Sequence, residues 1–343
     1  MRRWLIILLA AAATAPALEG AVYFERAGRL YRMEADGADV ELIDELFGCT
    51  DMGVTLTSSP DGAVLVFAAD AAGGWDLYRY DFAAGEPVPL YDSGWWDGLP
   101  ALDPAGQRVA CASLGDGAEI VLFDLDDPAG VRRLTDLEEW ARWPVWSPDG
   151  EALYFIHAAT GADYSELMYL ELPDGEPEML ESFRGEVKEY ALAPDGSLFA
   201  LTFRPAARES FDIYLYDAAS GDFDRLTDLP ADCGGPCFAG DRRYIYYHVE
   251  YPLEYPTDEH GYQHENYHYE PGRRHNPEKS LPEDDEAVDE EEESAPPDVA
   301  APDTEYDPLG WLPSYRNTIH LLNLETGEDV ELTTGEEPCW YGG

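Results

Sequence analysis

PVWSPDGEALYF, residues 144–155, reads as a strand, a tight turn and a second strand. Pro148-Asp149-Gly150 is turn chemistry, because Pro fixes its own φ and Gly accepts the positive φ that other residues resist. The turn recurs as SPDG at 59–62, DPAG at 103–106 and APDG at 193–196, with a degraded copy, AGDR, at 239–242. The first residues of the five copies lie 44, 44, 46 and 46 positions apart. A short β-branched and aromatic run follows each turn: AVLVFAA, RVACAS, ALYFIH, SLFALTF and RYIYYH.

A second run comes next: LYRME (30–34), LYRYD (77–81), IVLFD (120–124), LMYLE (167–171), IYLYD (213–217) and IHLLN (319–323). A third ends on Leu42, Leu90, Leu134, Leu180, Leu226 and Leu332, in contexts such as RRLTD and DRLTD. Short runs bounded by Gly, Pro and Asp are strands. Four strands per period of this length are the signature of a propeller blade. The fold expected is therefore all-β, a six-bladed β-propeller with one long insertion. Blade 1 takes 21–46 plus 336–343, blade 2 takes 51–92, blade 3 takes 97–136, blade 4 takes 143–182 and blade 5 takes 188–228. Blade 6 takes 236–250 plus 316–334, around an insertion at 251–315. PCW at 338–340 matches PVW at 144–146, so the C-terminal strand supplies the first strand missing at the N-terminus, and the ring closes with strands from both ends.

PVWSPDGEALYF, followed by a strand such as IYLYD and then RLTD, resembles the repeat of TolB-like propellers, which is shared with the propeller domains of prolyl-oligopeptidase-type peptidases. The resemblance implies a six-bladed ring in an exported protein. TolB carries an additional N-terminal α/β domain, whereas here the blades begin almost at residue 21; the peptidases carry a G-x-S-x-G elbow, a motif missing from this sequence. Neither specific activity carries over.

Residues 1–17 read as a signal peptide: Arg2 and Arg3, then an apolar run from Trp4 to Ala13 too short to span a bilayer, then Ala15 and Ala17 before the cut. The mature chain is expected in the periplasm or outside the cell, with no integral membrane segment. Its 71 Asp and Glu against 21 Lys and Arg give a net charge of −50. Such a surface repels nucleic acid and anionic lipid and favours cations or basic partners. Residues 251–315 hold 19 of the acids, so the excess belongs to the folded body as well.

Strand direction alternates within a blade, so the basal turns share one face and the inter-blade loops the other, here called the top. The top loops supply Trp95, Trp96, Trp140 and Trp143 beside Asp97, Glu138, Glu139, Glu186, Glu189, Glu336 and Glu337. Aromatic rings among carboxylates suit a cationic guest; equally, each Trp can pack beneath its loop or between blades. The function expected is a binding scaffold or sensor for a protein, basic peptide or cationic solute, without a resident cofactor beyond a possible divalent cation. The alternatives are a metal-dependent lyase or lactonase and a purely structural envelope protein. The enzyme reading needs polar ligands on the first strands, and these read GVTLTS, GLPALD, PVWS, YALA and PCFA, mostly apolar or small.

The insertion begins rich in Tyr and His and runs through EDDEAVDEEEE (283–293), a composition that favours disorder. His260, His264 and His268 recur every four residues, a spacing that could present imidazoles to zinc, copper or nickel. Of five cysteines, Cys233 and Cys237 flank GGP and are expected to bridge, the glycines freeing the backbone. Cys49 and Cys339 lie in the loops flanking blade 1 and form the second expected pair, with Cys237–Cys339 as its rival; Cys111 remains a buried thiol.

Overall fold

The computed structural model of the chain describes residues 21–26, 29–45, 56–70, 74–114, 119–137, 140–158, 163–240, 242–252, 315–334 and 336–341. Its strands form six four-stranded antiparallel sheets, and these are the six blades. Blade 1 holds β1 (Ala21–Arg26), β2 (Arg29–Glu34) and β3 (Glu41–Glu45). Blade 2 is β4 (Leu56–Ser58), β5 (Val64–Asp70), β6 (Trp75–Asp81) and β7 (Glu86–Tyr91). Blade 3 is β8 (Asp97–Leu102), β9 (Arg108–Ser113), β10 (Glu119–Asp124) and β11 (Asp127–Arg133). Blade 4 is β12 (Trp140–Trp146), β13 (Ala152–Ala158), β14 (Ser165–Glu171) and β15 (Glu178–Phe183). Blade 5 is β16 (Gly185–Leu192), β17 (Leu198–Pro205), β18 (Asp212–Asp217) and β19 (Asp222–Arg225). Blade 6 is β20 (Asp232–Phe238), β21 (Tyr244–Pro252), β22 (Tyr315–Asn323) and β23 (Asp329–Thr334). The last strand, β24 (Glu336–Tyr341), pairs antiparallel with β1, setting Trp340 against Val22 and Tyr341 against Ala21. The ring is closed by both ends of the chain, as the repeat predicts.

The chain divides into two units, Met1–Tyr251 with Arg316–Gly343, and Pro252–Tyr315. Of the insertion expected at 251–315, Tyr251, Pro252 and Tyr315 belong to β21 and β22, while 253–314, with His260, His264 and His268, fall outside the described residues. The signal peptide at 1–17 falls outside them too. No helix among the described residues is long and apolar enough to cross a membrane.

The core consists of apolar layers between blades. On β5, Leu65, Phe67 and Ala69 pack with Tyr23 of blade 1, while Val64, Val66 and Ala68 pack with Val109 and Cys111 of blade 3. On β21, Tyr244 and Tyr246 join Val22 and Phe24 of blade 1, while Tyr247 and Val249 join Ile213 of blade 5. Period-two alternation sends successive side chains to opposite neighbours. Both faces of a middle strand are therefore buried, and it reads as a continuous apolar run.

The basal turns share one geometry. The N–H of Gly62, Gly106, Gly150 and Gly196 donates to the carbonyl three residues earlier, at 2.8–2.9 Å, with φ between 65° and 74°. Each turn also touches the one before it: a Cβ on Gly106 would meet Pro60 at 3.2 Å, and one on Gly196 would meet Pro148 at 3.3 Å. In the degraded copy, Arg242 reaches back to Asp195 at 3.3 Å and donates to the Ser197 hydroxyl at 3.3 Å. At the top, the RLTD motif ties the fourth strand to the third. The Thr135 hydroxyl accepts the Ile120 N–H at 2.9 Å and donates to Glu119 at 2.5 Å, and Arg133 pairs with the same carboxylate. Thr227, Ile213, Asp212 and Arg225 repeat the arrangement in blade 5.

Candidate binding site at the central channel

The first strands of blades 2 to 6 surround a cavity of about 380 Å³. Seven positions before the end of its basal turn, blade 3 contributes Leu99, blade 4 Trp143, blade 5 Glu189 and blade 6 Gly235, and all four line the cavity. Leu99, Trp143 and Gly235 adopt φ of 55°, 57° and 57°, the left-handed region. Each sits at a β-bulge in its strand, and a bulge re-aims side chains. The bulges also carry β12, β16 and β20 back to Trp140, Gly185 and Asp232, earlier than the 143, 188 and 236 expected from the pattern. Glu189, expected in a rim loop, therefore stands on a first strand.

Glu189 is 5% exposed. It accepts the Gly235 N–H at 2.6 Å and the Thr202 hydroxyl at 3.3 Å. Among the described residues, the cavity lining has no Lys, Arg or other carboxylate, and Glu189 has no cationic partner. Gly234 makes room for it: a Cβ there would stand 2.7 Å from Glu189 Oε1 and 2.8 Å from the His248 ring. The two glycines that were expected to free a Cys233–Cys237 bridge instead cradle this carboxylate. That bridge is not formed. Cys233 is a free thiol packed with Ile213 and Tyr247, and Cys237 lines the channel four residues along the same strand. A strand rises about 3.3 Å per residue, which sets the two beyond bridging reach. Burial pushes the Cys233 thiol up to about 12, so it is no nucleophile at neutral pH. Cys111 is a buried free thiol, its pKa also raised by burial, as the alternation of β9 predicts.

On the rim beside Glu189, two of the cations are paired with carboxylates. Arg204 pairs with Glu186 at 2.5 Å and lies 4.5 Å over the Phe211 ring. Lys188 lies 3.8 Å from Glu250, and the hydrogen bond from His248 holds the Glu250 carboxyl below its ordinary range. Arg142 donates to the Val187 carbonyl at 3.4 Å, and burial lowers its pKa against the opposing pull of Glu186.

The tryptophans divide. Trp95 is 62% exposed and Trp140 46% exposed, whereas Trp96 packs into the core between blades 3 and 4 and Trp143 lines the channel. Asp97 is fully buried, accepting the Ser93 N–H at 2.7 Å and its hydroxyl at 2.9 Å, so it is unavailable as a rim carboxylate. Glu138, Glu139 and Cys49 lie outside the described residues. So do the side chains of Glu336, Glu337 and Cys339, whose backbone runs along β24; the expected Cys49–Cys339 bridge falls there. Asp76, Asp92 and Asp97 bring carboxylate oxygens within 4.8 Å of one another. They stand where blade 2 reads VPLYD instead of RLTD, without the Arg and Thr that serve Glu119 and Asp212.

One constellation has the order of a nucleophile, base and acid. His320 lies 3.0 Å from the Thr318 hydroxyl and 3.3 Å from Asp329, which also accepts the Tyr247 hydroxyl at 2.8 Å. Thr318 is fully buried, and its hydroxyl has no access to solvent.

No family model matches the chain. A curated relative, the uncharacterized peptidase YuxL of Bacillus subtilis, is 28% identical over 172 residues, half of this chain but only 24% of that protein. Among solved structures, TolB from Acinetobacter baumannii superposes with a TM-score of 0.60 at 17% identity, covering 94% of this chain and 66% of that one. A putative TolB from Agrobacterium tumefaciens gives 0.55 at 21% identity, covering 63% and 80%. A chain of a nidogen/laminin complex gives 0.60 at 11% identity, covering 93% and 97%. At these identities the likeness is one of fold, and in fold the chain is a TolB-like six-bladed propeller.

Proposed function

We propose that the chain is an exported binding module that engages a basic protein or peptide at the top of its propeller. The observation that carries this reading is the channel: an apolar lining with one buried carboxylate, Glu189, and no cation among the described lining residues. Burying a charge without a counterion is costly, and a cationic guest offsets that cost. The net charge of −50 steers basic partners toward the surface, and exposed Trp95 and Trp140 offer faces for cation–π contact. Export rests on Arg2, Arg3 and the apolar run Trp4–Ala13.

Calorimetric titration of the purified protein with basic and acidic peptides of equal length tests the reading. Basic peptides bind, and binding weakens as salt rises from low to physiological ionic strength. Equal binding of both sets, or none, overturns it. Sequencing the N-terminus of protein recovered outside the cytoplasm tests export, the expected first residue being Leu18.

A further inference from the structure

We infer that the channel selects a single lysine side chain of the partner, its stem against Leu99 and Trp143 and its ammonium on Glu189. The inference rests on the proposed binding of a basic partner and names the group that enters the site.

The chemistry of the lining narrows the guest. A divalent cation wants several oxygen ligands at 2.0–2.6 Å, and the lining supplies one carboxylate. A guanidinium carries five N–H donors in a rigid fork. Glu189 already accepts from Gly235 and Thr202, so it has little left for the paired donors of a guanidinium, whose remaining N–H groups would depend on carbonyls at the unpaired edges of the first strands. An ammonium is a compact charge on a four-carbon apolar stem. Pro100, Pro144 and Pro236, at one offset in three blades, add lining with no N–H to donate. The stem meets apolar surface and the head meets the one group that wants a cation. The left-handed backbone at Leu99 and Trp143 turns two large side chains into the layer that holds Glu189. On the rim, Arg204 and Lys188 are occupied by Glu186 and Glu250, and Arg142 donates to the Val187 carbonyl.

The test uses the full chain and three N-acetylated peptides that differ at one position: lysine, arginine or Nε-acetyl-lysine. Calorimetry is expected to give the lysine peptide an affinity at least about ten-fold above the other two. Glu189→Gln keeps an acceptor for the Gly235 N–H and removes the charge; it is expected to abolish the lysine preference. Ala191→Leu, which fills the channel without changing charge, is expected to do the same and stands in should Glu189→Gln fail to fold. Equal affinity for lysine and arginine peptides, or a lysine preference that survives both variants, overturns the inference. In that case the binding of basic peptides itself still supports a basic partner at the rim. Failure of every basic peptide overturns the binding reading and this inference with it.

Discussion

The backbone N–H of Gly235 donates to Glu189 Oε1 at 2.6 Å, joining the first strand of blade 6 to that of blade 5 at the channel wall. The contact depends on the missing side chain of Gly234. Gly235 adopts φ 57°, and Gly234 leaves the space that the Glu189 carboxylate and the His248 ring share. Gly234→Ala is expected to destabilise the protein by about 1–3 kcal/mol, the usual range for over-packing a close-packed site. Gly221→Ala is the control, because φ there is 77° and nothing lies within 4 Å of a new Cβ. It carries only the left-handed penalty of about 1–2 kcal/mol. Urea unfolding of both reads the difference. A Gly234→Ala protein as stable as the wild type would show that the carboxylate and imidazole move aside freely.

At the base, Arg108 fixes one turn to the next. It donates to the Gly150 carbonyl at 2.8 Å, pairs with Asp103 at 2.8 Å and lies 4.4 Å from the Trp146 ring centroid. Arg108→Ala is expected to cost about 1–3 kcal/mol, combining a charge-assisted hydrogen bond with a cation–π contact. Arg132→Ala is the comparison, since Arg132 is exposed on the outer strand β11, and should fall within about 0.5 kcal/mol of wild type. Chemical denaturation distinguishes them, and equal effects would mean that the basal contacts contribute nothing measurable.

The repeat made the architecture legible because a blade is specified locally. The turn at Pro148-Asp149-Gly150 and the motif RLTD each act within one blade, and five copies of the turn, with RLTD in two blades, mark out the ring. The channel was less legible, because its composition is decided by one residue per blade at a bulge. Leu99, Trp143, Glu189 and Gly235 share an offset from their turns, yet have nothing chemical in common. The left-handed backbone at three of them interrupts the alternation by which a strand is recognised. Glu189 therefore reads as part of a loop, and GGP reads as a hinge. The signal in the sequence is the offset itself. Asp97 reads as a rim carboxylate because its inter-blade loop is polar; its burial follows from Ser93, which supplies two donors from four residues away.

Asp103 stands where two of the other basal turns carry serine and two carry alanine, and it gives the fold a dependence on acid. Burial works to raise its pKa. The N–H groups of Arg108 and Gln107, with the Arg108 guanidinium, outweigh burial and hold the carboxyl below its ordinary value of 3.8. A carboxyl depressed in the folded state stabilises above its unfolded pKa, and that stability is lost as pH falls through the folded value. Stability is therefore expected to fall below about pH 4, with part of the slope due to Asp103. Asp103→Asn is expected to lose about 1–2 kcal/mol at pH 7 and to show a shallower decline in acid. Thermal melts from pH 7 to pH 2.5 compare the two; parallel curves would remove Asp103 from the acid response.

Ring closure gives the sharpest test of the fold. Trp340 stands opposite Val22 as Trp146 stands opposite Leu153 in blade 4, so β24 and β1 form the pair that SPDGEA, residues 147–152, joins in that blade. Deleting 336–343 removes the strand that pairs with β1 and uncovers its backbone edge, beside Val22 and Phe24, both fully buried against blade 6. An exposed edge of this kind recruits other chains. The truncated protein is expected to lose several kcal/mol or to aggregate, by cooperative melting and light scattering. A circular permutant separates the strand from the chain end. Trp340 is joined to Val22 through SPDGEA, and new termini are opened after Asp228, in the exposed link between blades 5 and 6. All six blades then keep four strands, and the closure becomes an ordinary hairpin with a shorter loop to fix in folding. The permutant is expected to keep the oligomeric state of the full chain and to melt close to it, while the deletion does not. Equal loss in both would show that something other than the β24–β1 pairing holds the ring.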